Sequence, residues 1–311
     1  MKGQTYVEIS IIIPVYNKAK YLETAMKSAL SQDFARYEVI AVDDGSTDGS
    51  SQLCDSWAAK DSRLRVVHQT NSGVTAARKA GLAAAQGRYV MFADADDQLL
   101  PNALSATYQA MTEQGADEVI GGFTVQNGLN IAALPDNGWK DAFRLIDDIL
   151  GNRQRIPILW AILYKKDLLT GCFDIPRDIP SGEDKLSQIQ ILLKRPKVYT
   201  ISSSIYVYNA GIPNQRRRTT NYERKYDQQL RAILQSQWDR FGDGYNLYRL
   251  KTYESYLDGK HFEAYADYYH ELRHEPLSRL PMQDRIVVFL PPKLAYWLVH
   301  TYKQLLKWKS R

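Results

Sequence analysis

Val42-Asp43-Asp44-Gly45-Ser46-Thr47-Asp48 and, further along, Asp94-Ala95-Asp96-Asp97 are the stretches whose reading decides the fold. Each closes an apolar, strand-like segment, Glu38 to Val42 in the first case and Tyr89 to Ala93 in the second. Carboxylates therefore stand at the ends of buried strands, where α/β proteins place their ligands. Massing acids at such points raises repulsion and desolvation cost, which a chain tolerates when a cation or hydrogen-bond donors are bound there. The pattern points to a metal-nucleotide site. In an extended segment Asp94 and Asp96 share a face, so the two are expected to act together on a ribose and a divalent ion, Mg²⁺ or Mn²⁺.

Outward from these clusters, short apolar runs alternate with stretches of helical period. Ile9 to Pro14, Tyr37 to Asp43, Leu64 to Gln69, Tyr89 to Ala93 and Glu118 to Thr124 read as strands. Lys20 to Gln32, Ser50 to Lys60, Val74 to Ala85 and Pro101 to Gln114 read as helices between them. Such βαβα alternation predicts a mostly parallel sheet covered on both faces. Residues 126–140 read as a loop or small hairpin, Asp141 to Leu150 as a short helix, Glu183 to Leu193 as another, and Val198 to Tyr208 as one or two strands. Gly211 to Thr220 is polar, basic and without period, as expected of a mobile loop. The remainder reads as helix, in segments near Tyr222 to Phe241, Tyr245 to Leu257, His261 to Arg273 and Lys293 to Lys309.

The expected domains are 1–220, with a nucleotide-binding part over about 6–125 and an acceptor part over about 126–220, followed by a helical extension over 221–311. The formal charge of +5 is mild and its basic residues gather near Arg216 to Arg218 and from Arg285 to Arg311. That pattern suits local anion contacts and argues against a nucleic-acid binder. Two cysteines, Cys54 and Cys172, lie far apart without metal-ligand spacing, which suits a reducing, cytoplasmic setting. No apolar run reaches the ~20 residues that span a bilayer. The last helical segment puts Leu294, Trp297, Leu298, Tyr302, Leu305, Leu306 and Trp308 on one face and Lys293, His300, Lys303 and Lys307 opposite. Residues 285–311 are thus expected to make a peripheral contact with the inner face of the cytoplasmic membrane, or to pack on the catalytic domain or on a second subunit as a homo-oligomer.

Several residues carry candidate chemistry. Pro14-Val15-Tyr16-Asn17 closes the first strand with a rigid edge and an aromatic surface for a nucleobase, although a plain turn has the same look. Asp48 or Ser50 suits the cap of the following helix. Capping does not explain Asp43 and Asp44 together, and a carboxylate at that strand end can accept the imide N–H of uracil. After Asn71-Ser72-Gly73, small residues let a helix lie close to the sheet, and Arg78 can reach inward to a base or phosphate. Glu183-Asp184 opens a helix, as acids commonly do, and beside a nucleotide it offers a general base. Arg216-Arg217-Arg218 on the polar loop is either solvated or folds over a departing diphosphate.

Together, Ile11-Ile12-Ile13-Pro14-Val15-Tyr16-Asn17, Val42 to Asp48, Asn71-Ser72-Gly73 with Ala77-Arg78 and Gly81, Asp94 to Asp97, and Gly182-Glu183-Asp184 resemble the family 2 glycosyltransferases, inverting enzymes of the GT-A fold. The resemblance covers roughly residues 6–210. It implies a donor-nucleotide set of Pro14, Tyr16, Asn17, Asp43, Asp44, Arg78, Asp94 and Ala95, with Pro14, Tyr16 and Asp44 at uracil and Asp94 on the ribose side. It implies Asp96 as the ligand of Mn²⁺ or Mg²⁺ and Asp184 as the catalytic base that relieves an acceptor hydroxyl of its proton while UDP leaves a UDP-sugar. The Gln-x-x-Arg-Trp motif of processive synthases is absent from the sequence, so transfer of one sugar is expected. The expected acceptor is a glycan or lipid-linked glycan in capsule, exopolysaccharide or cell-wall polymer synthesis. Two readings compete: a non-catalytic scaffold subunit that keeps the fold, and a nucleotidyltransferase. The latter usually has a Gly-rich loop after the first strand, whereas Pro14 to Lys20 contains no Gly.

Overall fold

Two strands are buried along nearly their whole length, β1 (Ile9–Val15) and β2 (Tyr37–Asp43), and the sheet is built around them. A computed structural model describes residues 6–125, 136–151, 158–210, 222–260, 262, 266–275, 277 and 282–309. After β1 and β2, with α1 (Ala19–Leu30) between them, come α2 (Ser50–Ala58), β3 (Leu64–His68), α3 (Val74–Ala84) and β4 (Tyr89–Phe92). β1 pairs in parallel with β2 on one side and β4 on the other, and β3 extends the parallel set beyond β2. Chain order therefore reverses at β1: the connection from β3 to β4 crosses back over it. Crevices at such reversals, outside the carboxyl ends of the strands, are where α/β sheets bind ligands.

The sheet continues with β5 (Gln98–Leu99), β6 (Glu118–Val125), β7 (Gly138–Lys140), β8 (Ile162–Lys165) and β9 (Val198–Tyr208), in the order β3-β2-β1-β4-β8-β6-β9-β5, with β7 also on β9. β8 is antiparallel to both β4 and β6, so the parallel character breaks where the sequence pattern becomes irregular. Val198 to Tyr208, read as one or two strands, forms one strand. It is parallel to β6 with register shifts near Gly122, and antiparallel to β5 and β7 at its two ends. α4 (Ala103–Gln114), α5 (Ala142–Gly151) and α6 (Glu183–Leu193) complete this part.

Close packing holds α3 to the sheet. A Cβ added to Gly81 would lie 2.4 Å from Ile12 Cγ2 and 3.1 Å from Val42 Cγ2. No side chain fits between helix and strands there, so the Ala-rich, Gly-containing sequence sets the distance of the helix from the sheet. The apolar core on the other face of the sheet includes Ile11, Ile13, Leu22, Met26, Val39, Met91 and Leu104, all 0–1 % exposed. Each such side chain contributes roughly 1.5–3 kcal/mol by leaving water.

By proximity of its Cα atoms the chain divides into two compact units, Met1–Ile146 with Arg155–Tyr226, and Asp147–Gln154 with Asp227–Arg311. Helices α7 (Tyr222–Leu234), α8 (Trp238–Asp258), α9 (Ala266–Arg273), α10 (Met282–Phe289) and α11 (Pro292–Lys309) follow β9. The break expected between Phe241 and Tyr245 is absent: α8 runs through Gly242 and Gly244. A Cβ on either would meet the Trp238 ring at 3.3 Å or Leu150 Cδ1 at 3.0 Å, so these glycines serve packing and do not end the helix. The core of the second unit joins Leu250, Tyr253 and Leu257 of α8 with Leu272, Val287, Val288, Ala295 and Val299. α11 thus buries its small-residue side through Ala295 and Val299. Leu294, Trp297, Leu298 and Tyr302, on the face read as apolar, are exposed, as are Met282, Ile286 and Phe289 of α10.

Candidate active site

Two loops at the chain reversal are tied together by side chains of the first acidic cluster. Three consecutive amides at the β1–α1 junction each donate to the β2–α2 loop: Asn17 N to Ser46 Oγ at 3.1 Å, Lys18 N to Ser50 Oγ at 2.8 Å, and Ala19 N to Asp48 Oδ2 at 3.0 Å. Asn17 returns the contact, its Oδ1 accepting Thr47 N at 2.8 Å from a left-handed backbone with φ 52°. Asp48 also accepts Ser50 N at 3.0 Å, so it serves the first residue of both α1 and α2. Gly45 is required in this loop, because at φ 72° a Cβ would also fall 2.9 Å from Asn71 N.

Asp43 and Asp44 end β2 almost fully buried and face different partners. Asp43 accepts Ser46 N at 3.1 Å and contacts His68 Nδ1 at 3.2 Å, while His68 Nε2 lies 2.9 Å from Asp55. The Asp43 and Asp55 carboxylates push the His68 imidazole above its usual pKa. Asp43 is held below the usual carboxylate range because hydrogen bonds from Ser46 and His68 outweigh its desolvation. Asp44 accepts Gln69 Nε2 at 2.7 Å, Ser72 N at 2.7 Å and Gly73 N at 2.8 Å. Three of about four lone-pair sites are used within the chain, leaving one for a ligand. Pro14 is half-buried and Tyr16 exposed just beyond β1.

Asp94 to Asp97 corrects one expectation. The segment is a turn, with Asp97 N donating to Asp94 O at 3.1 Å, so Asp94 and Asp96 do not alternate on an extended face. A buried Asp97 carboxylate forces the bend by accepting Asn209 N at 2.7 Å and the Tyr206 hydroxyl at 2.9 Å, and Asp94 N donates to that hydroxyl oxygen at 3.0 Å. Burial, reinforced by the Asp94 charge, pushes Asp97 up to about 7. Asp94 and Asp96 still feel one another: burial first, then the charges of Asp96 and Asp184, raise Asp94 against the opposing pull of Arg78.

Arg78, on α3, is the buried cation of the cluster at 5 % exposure. Its Nη2 is 3.3 Å from Asp94 Oδ1 and its Nη1 3.8 Å from Glu183 Oε1, while Nε has no hydrogen-bond partner. Glu183 and Asp184 occupy the first turn of α6, and Asp184 is half-buried. The fold therefore brings Arg78, Asp94, Asp96 and the Glu183-Asp184 pair into one electrostatic cluster. Ala95 is buried inside the turn. Arg216, Arg217 and Arg218 lie outside the described residues. Sequence reasoning missed Lys18, whose Nζ contacts Asp96 Oδ2. It also missed His68 and Tyr206, which hold Asp43 and Asp97.

Asp94 and Asp96 supply hard oxygen donors. Among the described residues no group of three or more His, Cys, Asp or Glu forms a cage. Oxygen donors of this type are those that Mg²⁺ and Mn²⁺ take, and Mg²⁺ binds through one or two carboxylates together with substrate phosphates. The residues present fit such an ion.

A mostly parallel sheet with acid-bearing loops at its chain reversal defines an α/β transferase fold of the GT-A type. The chain belongs to glycosyl transferase family 2, whose family model matches residues 10–171, just over half of its length. The glycosyltransferase GlyG of Streptococcus pneumoniae is 41 % identical over 116 residues, 37 % of this chain and 38 % of that protein. EpsJ of Bacillus subtilis, described as an uncharacterized glycosyltransferase, is 30 % identical over 221 residues, 66 % of this chain and 62 % of that protein. The chain thus spans less than two thirds of the length of these curated relatives. S. aureus TarS 1–349, solved in complex with UDP-GlcNAc, shares the fold with a TM-score of 0.68 at 21 % identity, over 96 % of this chain and 92 % of that one.

Proposed function

We propose that this glycosyltransferase moves a single sugar, with inversion, from a UDP-sugar to an acceptor hydroxyl on a glycan or lipid-linked glycan in bacterial polymer synthesis. The observation that carries the reading is the convergence of Asp94, Glu183 and Asp184 on the buried Arg78, with Asp96 beside Asp94. The UDP-GlcNAc bound by TarS supports the donor class. In this reading Pro14 and Tyr16 flank the uracil, and the free lone pair of Asp44 takes its imide N–H. Arg78 orients Asp94 toward the ribose.

Asp184 acts as the base. Glu183 is turned toward Arg78, which leaves the Asp184 carboxylate to take the proton of the acceptor hydroxyl. The freed oxygen pair attacks the anomeric carbon from the face opposite UDP, the bond to the diphosphate oxygen breaks, and its electron pair leaves with UDP. Asp96 would hold a divalent ion, which would supply positive charge to offset that of the diphosphate. The test is UDP release from a panel of UDP-sugars with Mn²⁺. Asp184→Asn is expected to lower kcat by about 10²–10⁴-fold with donor binding retained. Unchanged kcat refutes the assignment of the base.

Peripheral membrane contact belongs to the same reading. From Met282 to Arg311 six Lys or Arg accompany one acid, Asp284, so this stretch alone accounts for the chain's formal charge of +5. The exposed Phe289 and Trp297 lie among those charges, a composition suited to an anionic lipid surface and unfavourable for a second copy bearing the same charge. Flotation with phosphatidylglycerol vesicles should carry the full chain and fail for the double variant Phe289→Ser, Trp297→Ser; equal flotation refutes the contact.

A further inference from the structure

Lys18 comes from the loop after β1 and Asp96 from the turn after β4, so their contact bridges the crevice at the chain reversal. Both side chains are largely shielded, at 21 % and 16 % exposure. The direction of Lys18 is not incidental. Its own amide and those on either side are fixed by Ser46, Ser50 and Asp48, and the left-handed turn at Asn17 sets the path into α1. The backbone is pinned, while the four-carbon stem leaves the ammonium free to swing.

An ammonium and a divalent cation cannot share Asp96 Oδ2 without strong like-charge repulsion. One must yield, and a donor diphosphate bound beside the ion is an anion able to receive the displaced ammonium. We propose that Lys18 is a positioning residue: it holds Asp96 in the nucleotide-free enzyme and transfers to the donor diphosphate when a divalent ion takes Asp96. The inference rests on the reading of Asp96 as the metal ligand. Its consequence is that free enzyme binds the metal weakly, whereas metal and UDP-sugar bind as a pair, each relieving a contact the other needs.

The experiment measures Mn²⁺ affinity by electron paramagnetic resonance, and UDP affinity by calorimetry, on the full chain and on Lys18→Met, Lys18→Arg and Asp96→Asn. Loss of a charge-assisted contact corresponds to about tenfold in affinity. Lys18→Met is expected to bind Mn²⁺ about tenfold more tightly without nucleotide, and UDP about tenfold more weakly in saturating Mn²⁺. Lys18→Arg keeps the charge and should stay near the parent in both. Unchanged Mn²⁺ and UDP affinities in Lys18→Met, with Asp96→Asn losing Mn²⁺, overturn the role of Lys18 alone. Tighter Mn²⁺ without weaker UDP overturns the transfer to the diphosphate. Mn²⁺ affinity untouched by Asp96→Asn overturns the metal reading and this inference with it. A thermal melt of each variant separates these results from a failure to fold.

Discussion

Replacing Glu118 by Gln should make the protein less sensitive to alkali. Glu118 opens β6 with its side chain fully buried, and its Oε1 accepts Gln188 Nε2 at 2.7 Å. Gln188 in turn accepts the Tyr164 hydroxyl at 2.7 Å, while Glu118 Oε2 has no partner. Burial, opposed only in part by the Gln188 hydrogen bond, raises the carboxyl from 4.5 to about 8. Between those values the folded chain keeps a proton that the unfolded chain has released, so unfolding is favoured as pH rises. The stabilising contribution is whole below 4.5 and is lost as pH climbs through about 8. The slope is about 1.4 kcal/mol per pH unit, or on the order of 4–5 kcal/mol over the full window. A glutamine keeps the shape and the acceptor for Gln188 but does not titrate. Urea unfolding of both proteins should give stabilities within about 1 kcal/mol near the acid end and a gap favouring Glu118→Gln that widens up to about pH 8. Groups common to both proteins cancel in the difference. A gap independent of pH, or one that widens toward acid, would refute the buried-carboxyl account.

Other perturbations follow from the same contacts. Arg78→Met removes the cation from a buried cluster of carboxylates and should cost about 3–5 kcal/mol in urea unfolding; a loss below 1 kcal/mol would mean that solvent already neutralises the cluster. Gly81→Ala forces a Cβ onto Ile12 and should cost about 1–3 kcal/mol, read as a lower thermal midpoint. His68, raised above 6.5 by Asp43 and Asp55, contributes stability that is present below its unfolded pKa and lost as pH rises through the folded one. His68→Gln should therefore flatten the stability profile above pH 6.5, and a profile identical to the parent's would remove the ion pairs from the account.

The readable part of this chain is the part whose burial is regular. β2 and α6 fall at their expected residues, Tyr37–Asp43 and Glu183–Leu193, since one is apolar from Val39 to Val42 and the other follows a left-handed Gly182 that begins a helix. α8 was misread because helix propensity treats Gly242 and Gly244 as breaks, whereas the space they leave for Trp238 and Leu150 appears only in three dimensions. α10 has no counterpart in the sequence reading, because eight residues are too few to show a helical period. At the site, acids marked the strand ends, but the bend at Asp94 to Asp97 depends on Tyr206 and Asn209, far away in the chain. Lys18 gave no signal for the same reason, since a lysine at a helix start is ordinary until the fold sets it opposite Asp96.

The three amides held by Ser46, Ser50 and Asp48 have a thermodynamic corollary. Both loops lose their backbone freedom when the chain folds, so that entropy is absent from the free energy of ligand capture. Loosening the latch with Asn17→Gly, which keeps the left-handed turn but deletes the acceptor for Thr47 N, should leave the enthalpy of UDP binding nearly constant and make its entropy less favourable. The rigidity of the proposed nucleotide site then resides in the contacts that its two loops make with each other.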